Sequence, residues 1–248
     1  MGIYQDYASL YDLSGQKAFS QKMLPYIRRI LRRHTVEGKR MVDVACGTGT
    51  VAISLATAGW CVYGVDASKE MLATARAKAE EKEVTVKWSQ QDMRAFALPE
   101  RVHLATCLYD SMNYMLTEED IKASFERAFE ALRPGGLFLF DMNTIKALRE
   151  AWNDKTYFID SDNLCMVLES RYNQRQKRSR VEVTCFQRVG TLYRRVTEEH
   201  VERGYPKQRI NALLTEAGFS VEGTYECFSF QPPNDQTFRI MWAARRPR

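Results

Sequence analysis

The densest chemistry in the sequence lies in MVDVACGTGTVAISLATAGWCVYGVD, residues 41–66. A short apolar run leads into Gly47-Thr48-Gly49 and then into a stretch that reads as a helix. Glycine lets the backbone approach a ligand closely, and a helix N-terminus offers unpaired N–H groups. Asp66 comes nineteen residues after Gly47, at the tip of the next apolar run. A carboxylate there can accept hydrogen bonds from both hydroxyls of a ribose. GTGTVA also fits the GxGxxA fingerprint of dinucleotide sites, and taken alone it fits a glycine turn in an unrelated α/β protein. Two further acids weigh against a diphosphate. Asp43 sits four residues before Gly47, where it would repel a pyrophosphate and attract a sulfonium ligand with an ammonium group. Asp92 closes a third apolar run. Acids at the ends of three successive runs would face an amino-acid group, a ribose and an adenine amine in turn.

Candidate bases are few. Of the three histidines, His34 falls in a basic stretch and reads as a surface residue. His103 opens the fourth apolar run, the wrong end for catalysis, because ligands bind at the carboxyl ends of such strands. His200 either touches substrate or is a solvated strand residue on a Glu198-Glu199-His200 face. Asp110, within YDSMNY, can hold a substrate or cap a local turn. Asp141-Met142-Asn143 could bind Mg²⁺, but no second carboxylate cluster accompanies it, so the metal-free reading is preferred. Tyr4, Tyr7 and Tyr11 recur at spacings of three and four, one helical face, which serves either packing or a lid.

The elements that position these residues follow from periodicity. Residues 16–33 show helical spacing with Pro25 as a break or kink. Residues 50–58 form a helix closed by Gly59. Ser68 caps a helix to about Glu81, and Thr117 caps another over 117–132 with an acidic first turn. Strands are expected at MVDVAC, CVYGV, VTVKWSQ, VHLATCL and LFLFDMN, the last after a PGG turn. This alternation predicts a parallel sheet with helices on both faces. Residues 164–203 break the rhythm with three alternating segments, LCMVLESRY, RVEVTCFQR and TLYRRVTEEHVER, an antiparallel meander inserted after the fifth strand. A helix over 206–217 ended by Gly218 and a strand pair over 220–230 and 236–245 complete the chain.

Composition sets outer bounds. The chain has 248 residues, 45% hydrophobic and 27% charged, ordinary for one globular domain or one domain with an insert. Six cysteines lie far apart with no CxxC pair, which argues against a zinc ribbon. The first residues lack a signal-peptide pattern and no apolar run approaches a membrane span, so a cytoplasmic protein is expected. Net charge is +5, but residues 171–195 hold eight Lys/Arg against Glu182 alone. That stretch reads as a solvated strand face or as a site for an anionic partner. It matches no OB, KH or RRM pattern, which disfavours nucleic acid.

DVACGTGT, GVDAS-x-x-ML, QQDMR, a helix ending in LRPGG, and FDMNT occur in this order over about residues 40–145, with Gly218-Phe219 before the last hairpin. Together they resemble the class I S-adenosylmethionine-dependent methyltransferases. The resemblance implies a Rossmann-like α/β fold, a seven-stranded mostly parallel sheet whose last strand is antiparallel, with an antiparallel β insert after strand five. It also implies a cofactor site: Ala45, Gly47 and Gly49 along the methionine part, Asp43 near its ammonium, Asp66 and the adjoining Ala67 at the ribose. Met71 would lie near the adenine, Asp92 and the Met93 amide at its edge, and Leu108 and Tyr109 under the sulfonium. Within the class, ASLYD, DVACGTGT and EEHVERGY are most similar to enzymes that N-methylate aminosugars on a nucleotide carrier. By that likeness Tyr11 closes over the methyl donor, and Tyr114 stands where the group places a histidine after the fourth strand.

These expectations assign residues 1–35 to an N-terminal helical lid, 36–145 and 204–248 to the S-adenosylmethionine-binding core, and 146–203 to a β insert capping the substrate. The expected function is transfer of a methyl group to a small-molecule amine or hydroxyl by in-line displacement. His200, Tyr11, Asp110 and Tyr114 are the candidate catalytic groups. S-adenosyl-L-homocysteine is the product, no metal or membrane is involved, and the acceptor can be anionic. An RNA methyltransferase and a non-catalytic S-adenosylmethionine-binding protein are the alternatives. The insert's edge strands leave pairing into a homodimer open.

Overall fold

The computed structural model describes residues 4, 6–15 and 17–248. Residues 1–3, 5 and 16, which belong to the expected lid and first helix, lie outside the described residues. In chain order the elements are α1 (Ala8–Tyr11), α2 (Lys17–His34), β1 (Arg40–Val44), α3 (Thr50–Thr57), β2 (Cys61–Asp66), α4 (Lys69–Glu81), β3 (Lys87–Gln90) and β4 (Val102–Cys107). A single 3₁₀ turn, Ser111–Tyr114, precedes α5 (Glu118–Ala131), β5 (Leu132–Asn143) and α6 (Ile145–Glu150). Then come β6 (Lys155–Ser161), β7 (Leu164–Asn173), β8 (Arg178–Val189), β9 (Leu192–Arg203), α7 (Lys207–Glu216), β10 (Ser220–Glu226) and β11 (Arg239–Arg245).

The main sheet has the order β10-β11-β5-β4-β1-β2-β3. Strands β1 to β5 pair in parallel, and β11 runs antiparallel between β5 and β10. This is the expected seven-stranded Rossmann-like sheet. Its strands read as apolar runs because both faces are covered. One face packs Phe125, Phe138, Phe140 and Trp242; the other receives Met23, Tyr26, Ile27 and Ile30 of α2. The strand order reverses between β1 and β4, so the crevice at their carboxyl ends is where such folds bind ligands.

Ser68 and Thr117 cap their helices as expected, accepting the amides of Met71 at 3.0 Å and Asp120 at 3.1 Å. Several expectations are corrected. Pro25 does not break α2, which runs from Lys17 to His34 with Pro25 inside it; burial of the apolar face around it holds the helix together. β5 starts at Leu132 rather than after PGG. Gly135, at φ +79°, bends this leading arm, and its amide bonds to the Arg246 carbonyl at 2.8 Å. His34 is not a surface residue, because its ring nitrogens meet Glu222 and Tyr225, each at 2.9 Å.

The insert is a four-stranded antiparallel sheet, β6-β7-β8-β9, and not three strands. The fourth strand, β6, is an edge strand exposed along its whole length, so it carries no alternation of apolar and polar residues to read. The inner face, with Leu164, Met166, Leu168, Val181, Val183 and Val196, is closed by Tyr7 and Leu10 of the N-terminal segment. Among the described residues of that segment the helix is the single turn Ala8–Tyr11, which does not take in Tyr4 and Tyr7. Among the described residues no helix is long and apolar enough to cross a membrane.

Candidate active site

The tips of β1 and β2 hold the first two acids. Asp43 is 3% exposed, and the Thr106 hydroxyl donates to it at 2.6 Å. Burial pushes its carboxyl up to about 7, the signature of a buried acid with no cation beside it. Asp66 accepts the Gly47 amide at 2.7 Å on one oxygen and the Ser68 amide at 2.9 Å on the other. Each oxygen keeps a lone pair for a further donor. Burial raises this carboxyl also, with the Ser68, Gly47 and Ala67 amides opposing. Between the acids the chain turns through left-handed conformations at Ala45, Gly47 and Gly49. A Cβ on Gly49 would lie 2.6 Å from the Trp88 ring, so only glycine fits. A Cβ on Gly47 would meet nothing within 4 Å, so the loop faces open space there.

Asp92 behaves differently from its two counterparts. Arg94 pairs with it at 2.6 Å and Asp92 also accepts the Arg94 amide, which lowers its pKa. Its charge is therefore compensated, and only a spare acceptor lone pair remains for an adenine amine. Met71 is buried behind the Ser68 cap, Met93 is half-buried against the core, and Ala67 is exposed at the bend after Asp66.

Beyond β4, Leu108 is buried, and Tyr109 and Asp110 follow at φ +61° and +54°. Two successive left-handed non-glycine residues cost roughly 1–2 kcal/mol each, and such strain gathers at functional sites. Asp141, fully buried, holds the turn by accepting the Tyr109 amide at 2.7 Å and the Asp110 amide at 3.2 Å. Arg239 neutralises Asp141 at 2.5 Å and reaches Asp110 at 3.3 Å. Asp110 makes no side-chain cap for the 3₁₀ turn. The Asn143 side-chain amide donates to it, and to Glu202, at 2.9 Å each. One donor thus brings two carboxyls together. Burial raises both; the Asp110 charge and hydrogen bond raise Glu202 further, whereas at Asp110 the Arg239 guanidinium and the hydrogen bond with Glu202 oppose burial and the Asp141 charge.

β9 presents alternate residues inward. Val196, His200 and Glu202 are buried and Glu198 is half-buried, while Glu199 points out to pair with Arg180. The Glu198-Glu199-His200 face expected from sequence is therefore two faces. His200 is 5% exposed rather than solvated; burial lowers its pKa, with Glu198 opposing. Its Nδ1 lies 3.1 Å from the Tyr114 hydroxyl, which lies 2.9 Å from that of Tyr4. Asn113 fixes this corner, donating to the carbonyls of Asn143 at 3.1 Å and Arg203 at 2.9 Å.

The N-terminal segment straps the two sheets together across the crevice. Glu198 accepts the amides of Tyr4 at 2.8 Å and Tyr7 at 3.0 Å. Ser68 donates to the Tyr4 carbonyl at 2.6 Å. Asp12 takes the Thr48 hydroxyl at 2.8 Å and Lys78 at 2.6 Å. Tyr11 meets Tyr109 edge to face at 6.4 Å, and Tyr4 lies 4.8 Å from the His200 ring. The structure thus brings Tyr11, Tyr109, Asp110, Tyr114 and His200 to one place. His103 stays at the opening end of β4.

Sequence reasoning missed Glu202 and Arg239, and read Glu198 only as part of a solvated face and Tyr4 only as packing or lid. Period-two alternation from His200 would have found both glutamates; Arg239 had no such signal. The donor set fits S-adenosylmethionine: a buried carboxylate without a cation for the ammonium, a two-oxygen acceptor for the ribose and an open glycine loop between them. Among the described residues no cluster of metal-ligating side chains occurs.

Residues 41–136 match the methyltransferase-domain family. A putative methyltransferase of Geobacillus sp. is 30% identical over 98% of this chain and 99% of its own. The crystal structure of an S-adenosylmethionine-dependent methyltransferase from Clostridium acetobutylicum superposes with TM-score 0.87 at 25% identity, covering 100% of both chains. A dTDP-3-amino-3,6-dideoxy-alpha-D-glucopyranose N,N-dimethyltransferase of Streptomyces fradiae is 29% identical over 54% of this chain and 52% of its own.

Proposed function

Because this chain belongs to the class I S-adenosylmethionine-dependent methyltransferases, we propose that it methylates the nitrogen of a small-molecule amine. The observation that carries this reading is the pair of buried carboxyls, Asp110 and Glu202, bridged by Asn143 beside four tyrosines. Two carboxyls that share one proton bear a single negative charge. That charge recognises an ammonium, and tyrosine faces add attraction for a cation.

When bound, the cofactor would supply an electrophilic methyl group for transfer to the acceptor's lone pair. The chain's residues do the rest. Asp43, Asp66 and the Gly47–Gly49 loop hold the donor, with Ala45, Ala67, Met71, Asp92, Met93 and Leu108 around it. Asp110 and Glu202 take a proton from the acceptor's ammonium, which frees its lone pair. Asp141 and Arg239 fix the turn that aims Asp110. Tyr114, itself bonded to His200, holds the Tyr4 hydroxyl, and Tyr11 closes on Tyr109, so the strap excludes water. Positioning of this kind supplies on the order of 7–11 kcal/mol of a barrier. In this reading residues 4 and 6–15 are the lid and the insert caps the acceptor.

Similarity to the Streptomyces fradiae enzyme supports an aminosugar as acceptor, and Tyr114 in place of a histidine separates this chain from that group. The test is a panel of primary amines paired with the matching alcohols, read by mass for a gain of one methyl. The expected product is N-methylated. Methylation of the alcohols with the amines untouched would overturn the proposal.

A further inference from the structure

Arg178 and Arg203 stand directly opposite one another on β8 and β9. Like charges in that relation repel, with Cβ atoms about 4.5–5.5 Å apart. They lie on the outer face of the insert, one residue out of phase with Glu202. Two residues along, Arg180 meets its counter-charge in Glu199. The Arg178–Arg203 pair has no such relief: among the described residues no carboxylate reaches either guanidinium.

Both side chains are nevertheless held. Arg178 donates to the Leu116 carbonyl at 3.0 Å and Arg203 to the same oxygen at 2.8 Å. The Arg203 guanidinium also lies 4.7 Å from the Tyr205 ring centroid. Nε of each is buried with no hydrogen-bond partner. Arg175, Gln176 and Lys177, from the β7–β8 turn, close the remaining side of a cavity of about 300 Å³. Four cations and one amide line it, and no acid does.

Preorganised guanidiniums with spare N–H donors and no counter-ion suit an oxyanion, which charge-assisted bonds hold well. We propose that this cavity is a binding site for a phosphate-class oxyanion, separate from the methyl-transfer site and on the opposite face of β9. The site shares Leu116 with the loop that carries Tyr114, and shares β9 with His200 and Glu202. An anion there steadies the wall of the acceptor pocket from behind.

The test uses the full chain and inorganic phosphate as probe, titrated by calorimetry with and without adenosylhomocysteine. Saturable binding of one phosphate is expected. Arg175→Gln with Lys177→Gln, both on the turn and away from the Leu116 contact, is expected to weaken it at least tenfold. Adenosylhomocysteine affinity stays unchanged in the same variant. Absence of saturable phosphate binding, or equal affinity in the double variant, overturns the site and leaves the methyl-transfer reading intact. A nucleoside diphosphate in a parallel titration identifies the source: tighter binding than phosphate marks a carried phosphoryl group, and equal binding marks the free ion.

Discussion

The Thr48 hydroxyl donates a 2.8 Å hydrogen bond to Asp12, and this contact latches the N-terminal strap onto the glycine loop. Lys78 secures the same carboxylate at 2.6 Å and also donates to Thr48 at 3.0 Å. The strap therefore rests on the glycine loop, and in the proposed reading it opens before the product is exchanged.

Asp12→Ala removes the latch without touching the crevice acids. A net hydrogen bond contributes about 0.5–1.5 kcal/mol, so adenosylhomocysteine should dissociate roughly twofold to tenfold faster. Stopped-flow release of the bound product checks this. An unchanged release rate would show that the strap does not gate exchange.

Asp66→Ala should weaken adenosylhomocysteine binding by about 1.5–3 kcal/mol, the range for hydrogen bonds to a charged group. Calorimetry on the folded variant reads it directly. Equal affinity would remove Asp66 from the ribose.

Asp43 gives a pH dependence of definite sign. Its folded value, about 7, lies above the ~3.9 of an unfolded chain. Its protonated form therefore stabilises the cofactor-free protein, fully below about pH 4, and the contribution fades as the pH rises through about 7. Melting of the cofactor-free protein should show this loss, and Asp43→Asn should abolish it. An ammonium placed beside the carboxylate acts in the other direction. Adenosylhomocysteine binding should release a proton near pH 6, measurable as a dependence of binding heat on the buffer's ionisation enthalpy. A melting profile identical in wild type and Asp43→Asn would contradict this account of the residue.

Glu202→Gln removes the proton acceptor and leaves the fold of β9 in place. General-base loss lowers rates by about 10²–10⁴-fold, and the lower part of that range is expected because Asp110 remains. The rising limb of kcat/KM with pH should shift in the variant, because the Glu202 carboxyl, which burial and Asp110 raise well above its ordinary value, no longer titrates and Asp110 is left as the base. Adenosylhomocysteine affinity should not move. A pH profile whose rising limb does not move would place the base elsewhere.

The core was legible because its strands are apolar runs ending at glycine or aspartate, and because Ser68 and Thr117 announce their helices. β6 was not legible: an edge strand exposed on both faces has no burial pattern to imprint on its sequence. His34 was misread because its partners, Glu222 and Tyr225, come from β10, far along the chain. The acid pair was hidden for the same reason. Asp110 was a candidate from its place after the fourth strand, but Glu202 comes into view only because β9 returns beside the β4 tip, and Asn143 joins them. Asp92 was placed at the right strand end, but the bond from Arg94 that compensates it lies in local turn geometry and does not follow from spacing.

A crystal structure with adenosylhomocysteine bound tests the arrangement most directly. The expected result is the ribose hydroxyls on Asp66, the ammonium near Asp43, and the sulfur between Tyr109 and the Asp110–Glu202 pair under the closed strap. Adenosylhomocysteine bound outside this crevice, or with its sulfur turned away from the two carboxyls, would contradict it.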